Sequence, residues 1–162
     1  MIYVSDTTAI TNLAAINKIH LLKDLFHEIT IPQEVYDELT RHGDHVPGAK
    51  EAKTYTWIKT RQVTNKSLVH SLLNTLDAGE AEAIALALEL HAQLLIIDEF
   101  AGRQAAKDFG IKIIGVLGVL LLAKKRNLIT EIKPYLISLR SDAGFRLSQQ
   151  VMDHILQEAG EL

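Results

Sequence analysis

The sequence predicts a three-layer α/β/α fold with a mostly parallel central sheet of about four to five strands. Two observations lead to this class. Short apolar runs such as 94–97 (LLII) lack the polar alternation of a half-exposed strand, as is typical of strands buried on both faces of a parallel sheet. Most segments between these runs carry apolar residues three or four positions apart, which places them on one face of a helix.

The first half of the chain opens with an apolar run at 2–4 (IYV), which we predict to be a central strand. A helix follows it, and Thr7 or Thr8 is its candidate N-cap. Apolar residues at helical spacing predict a helix at 18–26, and a short strand follows at 28–31. Pro32 suits the first turn of a helix at 33–41, and the Gly and Pro content of 42–48 predicts a loop. The remaining elements are a helix at 49–57, an edge strand at 57–63 with strand-like alternation, and a helix at 67–76.

The middle of the chain is its most regular stretch. Apolar residues recur at helical spacing from 80 to 90, and Asp77 with Glu80 three positions later resembles a capping box at the start of that helix. The apolar run 94–97 follows and stops at Asp98. In open α/β sheets ligands bind outside the carboxyl ends of the strands, so Asp98 stands where chemistry is expected.

The C-terminal part continues the alternation of helix and strand. It predicts, in order, a helix at 100–109 stopped by Gly110, a strand at 112–114, an apolar helix from Gly115 to Arg126, a helix at 129–139 capped by Thr130, a turn at 140–145 and an amphipathic helix at about 146–158 capped by Ser148. Leu147, Val151 and Ile155 form the apolar stripe of this last helix. We expect the stripe to pack on its own domain, and the alternative is a surface for a dimer or a partner. No linker or repeat divides the chain, so we expect a single domain over 1–162.

Composition narrows the class of function. The chain has 162 residues, of which 48% are hydrophobic and 23% charged, as is ordinary for a globular domain. It has no cysteine, so a bound metal must use oxygen or nitrogen ligands. The net charge of −3 excludes a basic coat for nucleic acid, and there is neither a signal peptide nor an apolar run long enough for a bilayer. We therefore expect a cytoplasmic protein without a membrane partner.

Four acidic side chains stand where a parallel fold would bring them together. Asp6 and Asp98 each follow a short apolar run at the carboxyl end of a predicted strand, and Glu38 and Glu80 lie on predicted helices beside that sheet. Each acid alone is more often structural, as an N-cap for Asp6 and a solvated helix face for Glu38.

Carboxylates that share one cleft raise one another's pKa values, and a divalent cation removes that cost. Oxygen ligands favour Mg²⁺ or Mn²⁺, which activate water and stabilise charge during displacement at phosphorus. Thr8 could orient a metal-bound water or a phosphate oxygen through its hydroxyl. Arg103, one helical turn past Asp98, could contact phosphate or, as readily, pair with a nearby acid.

Six segments, in chain order, carry a resemblance to a known family: VSDTTAI (4–10), IPQEVYDEL (31–39), LDAGEAEAIALALEL (76–90), LLIIDEFAGRQAA (94–106), GVLGVLLLAKKRNLI (115–129) and LRSDAGFRLS (139–148). With these segments the chain resembles the PIN-domain nucleases, and in particular a prokaryotic PIN-like subfamily long classed as a domain of unknown function. The similarity covers essentially the whole chain. It implies the PIN-like version of the α/β/α fold.

The resemblance assigns roles to particular residues. It places four of them on the acidic positions that hold Mg²⁺ or Mn²⁺ in PIN domains: Asp6, Glu38, Glu80 and Asp98. Thr8 falls on the small hydroxyl or amide position after the first acid. Glu82 is a rival for the third position, and Glu80 is preferred because its spacing of eighteen residues to Asp98 suits the family. Glu99 departs from the plainer family pattern and could supplement Asp98.

The resemblance also implies an activity and partners. The usual activity of the family is metal-dependent cleavage of RNA, and its commonest prokaryotic role is the toxin of a toxin–antitoxin pair, blocked by a small antitoxin protein. Many relatives form homodimers. We therefore expect a metal-dependent endoribonuclease that acts as a type II toxin.

Two other classes of function compete with this expectation. One is a nucleic-acid- or partner-binding module that has kept the fold and lost turnover, for which the net charge of −3 leaves room. The other is a small-molecule hydrolase or nucleotide-binding domain. It is less favoured because the chain has neither a phosphate-cradling glycine-rich loop nor a serine nucleophile elbow, and the pair Gly115 and Gly118 better fits helix packing.

Overall fold

The computed structural model describes residues 1–162 and contains five strands and ten helices. In chain order these are β1 (Tyr3–Ser5), α1 (Thr7–Ala15), α2 (His20–Phe26), β2 (Ile29–Pro32), α3 (Gln33–Thr40), α4 (Ala49–Thr54), β3 (Ile58–Arg61), α5 (Lys66–Leu72), α6 (Ala78–Glu89), β4 (Leu94–Ile96), α7 (Phe100–Asp108), β5 (Ile113–Ile114), α8 (Val116–Lys125), α9 (Lys133–Ser141) and α10 (Gln149–Glu158). None of the helices is both long enough and apolar enough to cross a membrane.

The strands form one all-parallel sheet in the order β3-β2-β1-β4-β5, which confirms the predicted class. The chain leaves the central strand β1 towards β2 and β3, and then returns to build β4 and β5 on its other side. The order of the strands therefore reverses between β1 and β4, and in such sheets the crevice at the carboxyl ends of these two strands is the usual ligand site.

Two apolar clusters cover the two faces of the sheet and complete the three layers. Leu95 of β4 and Ile97, the residue directly after the strand, belong to the cluster formed with α5, α6 and α7. Ile96 of β4 belongs to the cluster on the other face of the sheet. Successive side chains of a strand point to opposite faces, so a strand buried on both faces must be apolar throughout. This confirms the interpretation of the run 94–97.

The helix α6 begins with the capping box that the sequence predicts. The Asp77 side chain accepts a hydrogen bond from the Glu80 backbone N–H at 2.8 Å, and the Glu80 carboxylate accepts one from the Asp77 N–H at 3.2 Å. These two bonds satisfy donors that the start of a helix leaves unpaired. They also fix the direction in which α6 leaves the loop before it.

Two of the candidate helix caps are wrong. Asp6, and neither Thr7 nor Thr8, is the N-cap of α1, since its side chain accepts from the Ala9 N–H. This confirms the capping role that the sequence offered for Asp6 taken alone. Thr130 does not cap a helix, because α9 begins only at Lys133.

The start of α9 is set from a distance by the C-terminal tail. The Glu161 carboxylate accepts hydrogen bonds from the backbone N–H groups of Ile132 and Lys133, at 2.8 and 3.2 Å. Lys124 of α8 holds the same carboxylate at 2.8 Å. A residue 28 positions away in the sequence thus caps the helix in place of Thr130.

The C-terminal helices differ from the prediction in two further details. Arg140 and Ser141, which we assigned to a turn, form the last positions of α9. In α10, Val151 is 43% exposed, and the buried stripe consists of Met152, Ile155 and Leu156. The stripe joins the larger apolar cluster of the chain, so this helix packs on its own fold as expected, with Ser148 as its cap.

Candidate active site

Asp6 lies at the centre of the crevice, directly after β1. Its side chain is 2% exposed and caps α1, with Oδ1 accepting from the Ala9 N–H at 3.4 Å. The backbone N–H of Asp6 donates to the Ile96 carbonyl at 3.0 Å, which ties the residue to the neighbouring strand β4. Burial raises the pKa of the Asp6 carboxyl well above its usual range, and the negative charge of Asp98 raises it further.

Asp98 occupies the equivalent place beside it, just beyond β4. Both of its carboxylate oxygens accept from the Val116 backbone N–H at the start of α8, at 3.1 and 3.3 Å. Burial raises the pKa of Asp98 to about 6, although the Val116 N–H and the Arg103 charge act in the opposite direction. A buried acid, Asp6, and a half-buried one, Asp98, therefore follow two adjacent parallel strands at the point where the strand order reverses.

Glu38 approaches the same crevice from α3. Its Oε2 accepts a hydrogen bond from the Thr7 hydroxyl on α1, which fixes the carboxylate across the gap between the two helices. Burial raises the pKa of Glu38, and Thr7 opposes that rise.

Glu80 and Glu82, the two rivals for the third acidic position, have different surroundings. Glu80 is 8% exposed, faces the crevice, and has a pKa that burial raises. Glu82 points to α3, where its Oε1 accepts from the Glu34 backbone N–H at 3.1 Å. Glu82 thus pairs a donor that the first turn of α3 leaves free, and this gives it a structural contact outside the crevice.

The acids surround a small polar cavity of about 90 Å³ that no cationic side chain lines. Its lining consists of Asp6, Thr7, Thr8, Glu38, Asp77, Glu80 and Glu99. Asp98 lines two larger neighbouring cavities, one of which it shares with Glu99 and Thr8. The structure therefore brings the four predicted acids, Asp6, Glu38, Glu80 and Asp98, to one region, although only three of them line the smallest cavity.

The residues predicted to support the acids lie around them. Thr8 places its hydroxyl 3.5 Å from both carboxylate oxygens of Asp6. Glu99 is exposed at the mouth, and its charge raises the pKa of both Glu80 and Asp98. Arg103 donates to the Ile97 carbonyl at 3.0 Å, and its charge lowers the pKa of Asp98 without forming a close ion pair.

Sequence reasoning gave Asp77 and Thr7 only capping roles, but both line the polar cavity. Asp77 lies close enough to raise the pKa values of Asp6, Glu38 and Glu80. The spacing of Asp77 to Glu80 indicated a capping box and nothing about a polar cavity. The contact of Thr7 with Glu38 joins residues 31 positions apart, so no local pattern could predict it.

Three glycines make room for the acids, and this is a signal that the sequence did contain. A Cβ atom placed on Gly79 would lie 2.6 Å from Oε2 of Glu38, and one on Gly115 would lie 2.5 Å from Oδ1 of Asp98. A Cβ on Gly102 would first meet the Ile97 side chain, at 2.6 Å from its Cδ1, and would lie 3.3 Å from Oε2 of Glu80. Each glycine sits in one of the quoted segments, and at Gly79 and Gly115 a side chain would displace a carboxylate.

The donor set of the crevice suits a hard divalent cation. All charged groups of the small polar cavity are carboxylates. The raised pKa values of the four acids show that burial and mutual repulsion disfavour the ionised state when no cation is present. No three of these side chains are arranged as a metal-holding group in this structure. Binding one ion through three of them therefore requires the carboxylates to move closer together.

Comparison with known proteins identifies a family and a similar solved structure. A family model described as a PIN domain matches residues 2–161. Among solved structures, the chain is similar to a PilT N-terminus domain protein from the hyperthermophilic archaeon Sulfolobus solfataricus P2, at 23% identity and a TM-score of 0.56, over 74% of this chain and 90% of that one. At this identity the likeness establishes the fold alone. No curated protein matches the chain.

Proposed function

The chain belongs to the PIN-domain family, whose members are generally metal-dependent nucleases, and from this premise we propose that it is a Mg²⁺- or Mn²⁺-dependent endoribonuclease. One observation carries the proposal: acids from four separate segments meet where the strand order of the sheet reverses. The smallest cavity among them contains no cationic side chain, so nothing in the chain itself neutralises the lining.

In this proposal Asp6, Glu38, Glu80 and Asp98 hold the metal ion. When bound, the ion would activate water and stabilise the charge that develops at phosphorus. Other groups of the protein orient the carboxylates that would hold the ion. The Val116 N–H orients Asp98, and the Thr7 hydroxyl orients Glu38.

A bound cation would change the protonation of these acids. Burial raises the pKa values of Glu38 and Glu80, which both line the polar cavity, in the metal-free chain. A divalent ion held by these carboxylates would lower their pKa values and keep them ionised as ligands. Thr8, beside Asp6, is placed to hold a water or a phosphate oxygen.

The biological role forms a second part of the proposal. We propose that the chain acts in the cytoplasm as the toxin of a type II toxin–antitoxin pair, as a homodimer that a small antitoxin protein inhibits. The support for this role is the resemblance of the quoted sequence segments. The geometry of the crevice supports the proposed metal-dependent cleavage of RNA and says nothing about a toxin role.

A specific observation favours a second candidate, a PIN-like binding module without turnover. The acids do not form a ready three-ligand group, so an ion has to draw them together. A chain in which that movement is too costly would keep the fold and lose metal binding. Titration of Mn²⁺ by calorimetry separates the two, since the nuclease binds the ion and the inactive module does not.

The test is cleavage of structured RNA by the purified chain, with Mn²⁺ and with EDTA. We expect cleavage only with Mn²⁺, and a loss of about 100-fold or more in D6N or D98N, since each removes a charge at the reacting centre. Asp24→Asn is the matched control, because Asp24 is an exposed acid on α2 outside the crevice. Cleavage that survives in D6N and D98N, or that is absent in the wild type, contradicts the proposal.

A further inference from the structure

The two sides of the acidic crevice differ in charge. On the side of α3 and α6, the polar cavity is lined by acids and threonines alone. Two larger cavities, of about 430 and 480 Å³, lie on the side of Asp98, and Arg146 lines both of them. Asp98 lines both as well, Glu99 lines the first, and Arg103 lines the second. The second side is therefore the one that offers cations, and a phosphate of a polyanion such as RNA finds its attractive contacts there.

Arg146 has no partner within the chain. It is exposed, and it takes part in none of the ion pairs or side-chain hydrogen bonds of the structure. The neighbouring arginine in sequence, Arg140, is by contrast used structurally, since it donates to the Leu147 carbonyl at 2.8 Å. Arg146 therefore keeps all its donors free at the edge of the crevice.

The backbone around Arg146 is fixed on both sides. Before it, the Phe145 N–H donates to the Leu139 carbonyl at 2.9 Å, and Gly144 turns the chain with a φ of +68°. After it, Leu147 is 9% exposed and Ser148 caps α10. The turn thus presents a free guanidinium to the two cavities that Asp98 also lines, on a backbone that does not need to be ordered when a ligand binds. Such preorganisation lowers the entropic cost of binding.

We propose that Arg146 is a positioning residue that binds a phosphate of the RNA substrate, so that the strand crosses the crevice on the side of the turn between α9 and α10. This inference rests on the proposed nuclease function and names the part of the site that receives the substrate backbone. Thr8 and Asn12, one turn apart on α1, line the same cavity as Arg146 and offer neutral donors to the same phosphate. The planar guanidinium matches phosphate with two parallel hydrogen bonds, which a lysine cannot reproduce.

The test compares Arg146→Ala with wild type on a fluorescein-labelled single-stranded RNA of about 12 nucleotides. With Mn²⁺, we expect KM to rise about tenfold and kcat to change little, because the lost bond is charge-assisted and lies outside the reacting groups. In EDTA, where no cleavage occurs, fluorescence anisotropy should show weaker binding of the same RNA. The plot of log K against log salt concentration should become less steep in R146A, its negative slope losing about 0.7, the value for one phosphate contact on a single strand.

Two variants complete the comparison. Arg126→Ala is the control, since Arg126 is an exposed arginine at the opposite end of α8 from Asp98. Its one side-chain hydrogen bond, to the Leu25 carbonyl at 3.5 Å, lies outside the crevice, so R126A should leave KM and the salt slope unchanged. Arg146→Lys should recover part of the affinity, because it restores the charge without the planar fork. Equal melting temperatures of the wild type and R146A would show that the fold is intact.

The outcomes separate the two proposals. If the wild type cleaves RNA and R146A matches it in KM, salt slope and metal-free affinity, the inference about Arg146 is wrong and the nuclease function stands. If the wild type cleaves no RNA, the nuclease proposal fails, and the metal-free comparison decides the inference alone. Weaker binding by R146A than by R126A then supports a phosphate contact, and equal binding overturns it.

Discussion

At the scale of single residues, Asp6 shows how one side chain serves both the fold and the crevice. It caps α1, as a carboxylate after a strand commonly does, and it is also 2% exposed beside other acids. The cap is a favourable contact, whereas burial next to Asp98 is unfavourable for the charge, and the raised pKa of Asp6 shows that the unfavourable part prevails.

Titration of these acids leads to a prediction for the metal-free chain. Asp98 has a pKa of about 6 when folded against an ordinary 3.8, so between these values the folded chain binds more protons than the unfolded chain. The free energy of unfolding therefore falls as the pH rises through this range, and the raised pKa values of Asp6, Glu38 and Glu80 act in the same direction. In EDTA, the chain should melt at a higher temperature at about pH 5.5 than at about pH 7.5.

The measurement is a series of thermal melts followed by circular dichroism across this range. In D98N the melting temperature should depend less on pH, because the raised pKa of Asp98 no longer contributes. Asp44 and Glu161, whose pKa values are lowered, contribute the opposite trend only below the ordinary carboxyl range and so do not mask the effect. A metal-free melting temperature that rises steadily from pH 5.5 to 7.5 would contradict the assignment of buried, mutually repelling acids.

At the scale of secondary-structure elements, the approach of α3 to α6 is set by a glycine. The backbone of α6 at Gly79 runs close beside the Glu38 carboxylate, leaving no space for a side chain. Alanine is the better helix former, so helix propensity alone does not explain glycine at this position. The contact with Glu38 does explain it.

Gly79→Ala is expected to lower the activity about 100-fold, since an added methyl group moves the Glu38 carboxylate by the order of an ångström. Stability should stay within about 1 kcal/mol of wild type, because the better helix propensity of alanine offsets the local displacement. The measurement is RNA cleavage with Mn²⁺ together with urea unfolding.

A double-mutant cycle controls for other effects of this substitution. In the background of Glu38→Gln, which already lacks the carboxylate, Gly79→Ala should cause little further loss of activity. If the two substitutions reduce activity additively, the glycine acts through something other than Glu38.

At the scale of the whole molecule, the acids come from widely separated parts of the chain. Asp6 and Glu38 lie in the first quarter, on the β1 and β2 side of the sheet, while Glu80 and Asp98 belong to the half that returns to build β4. A cation held by both pairs would connect the two halves, so its binding would stabilise the fold against global unfolding.

Addition of Mn²⁺ should therefore raise the melting temperature at about pH 7.5, and less so at about pH 5.5, where protons compete for the same carboxylates. The increase should vanish in D6N and persist in D24N, which removes a charge far from the crevice. Differential scanning fluorimetry over a series of Mn²⁺ concentrations measures it. An equal increase in both variants would indicate binding elsewhere on the surface.

The sequence by itself determined the fold class, the order of the elements and the start of α6. Buried strands must be apolar on both faces, and a capping box closes within three residues, so both leave local patterns that a single sequence shows. The start of α9 shows no such local pattern in the sequence, because Glu161 caps this helix from the C-terminal tail. The exposed position of Val151 within α10 was likewise decided by which face its neighbours cover.

For the candidate site, the sequence showed the individual acids, and the family resemblance assigned four of them to one metal site. Only the tertiary structure placed them around one crevice. It also gave Glu80 and Glu82 different surroundings, since two glutamates two positions apart on a helix look alike until their neighbours are known. The lining role of Asp77 and the free guanidinium of Arg146 depend on contacts between distant segments. Such contacts follow from how the helices pack on the sheet, and no local pattern encodes them.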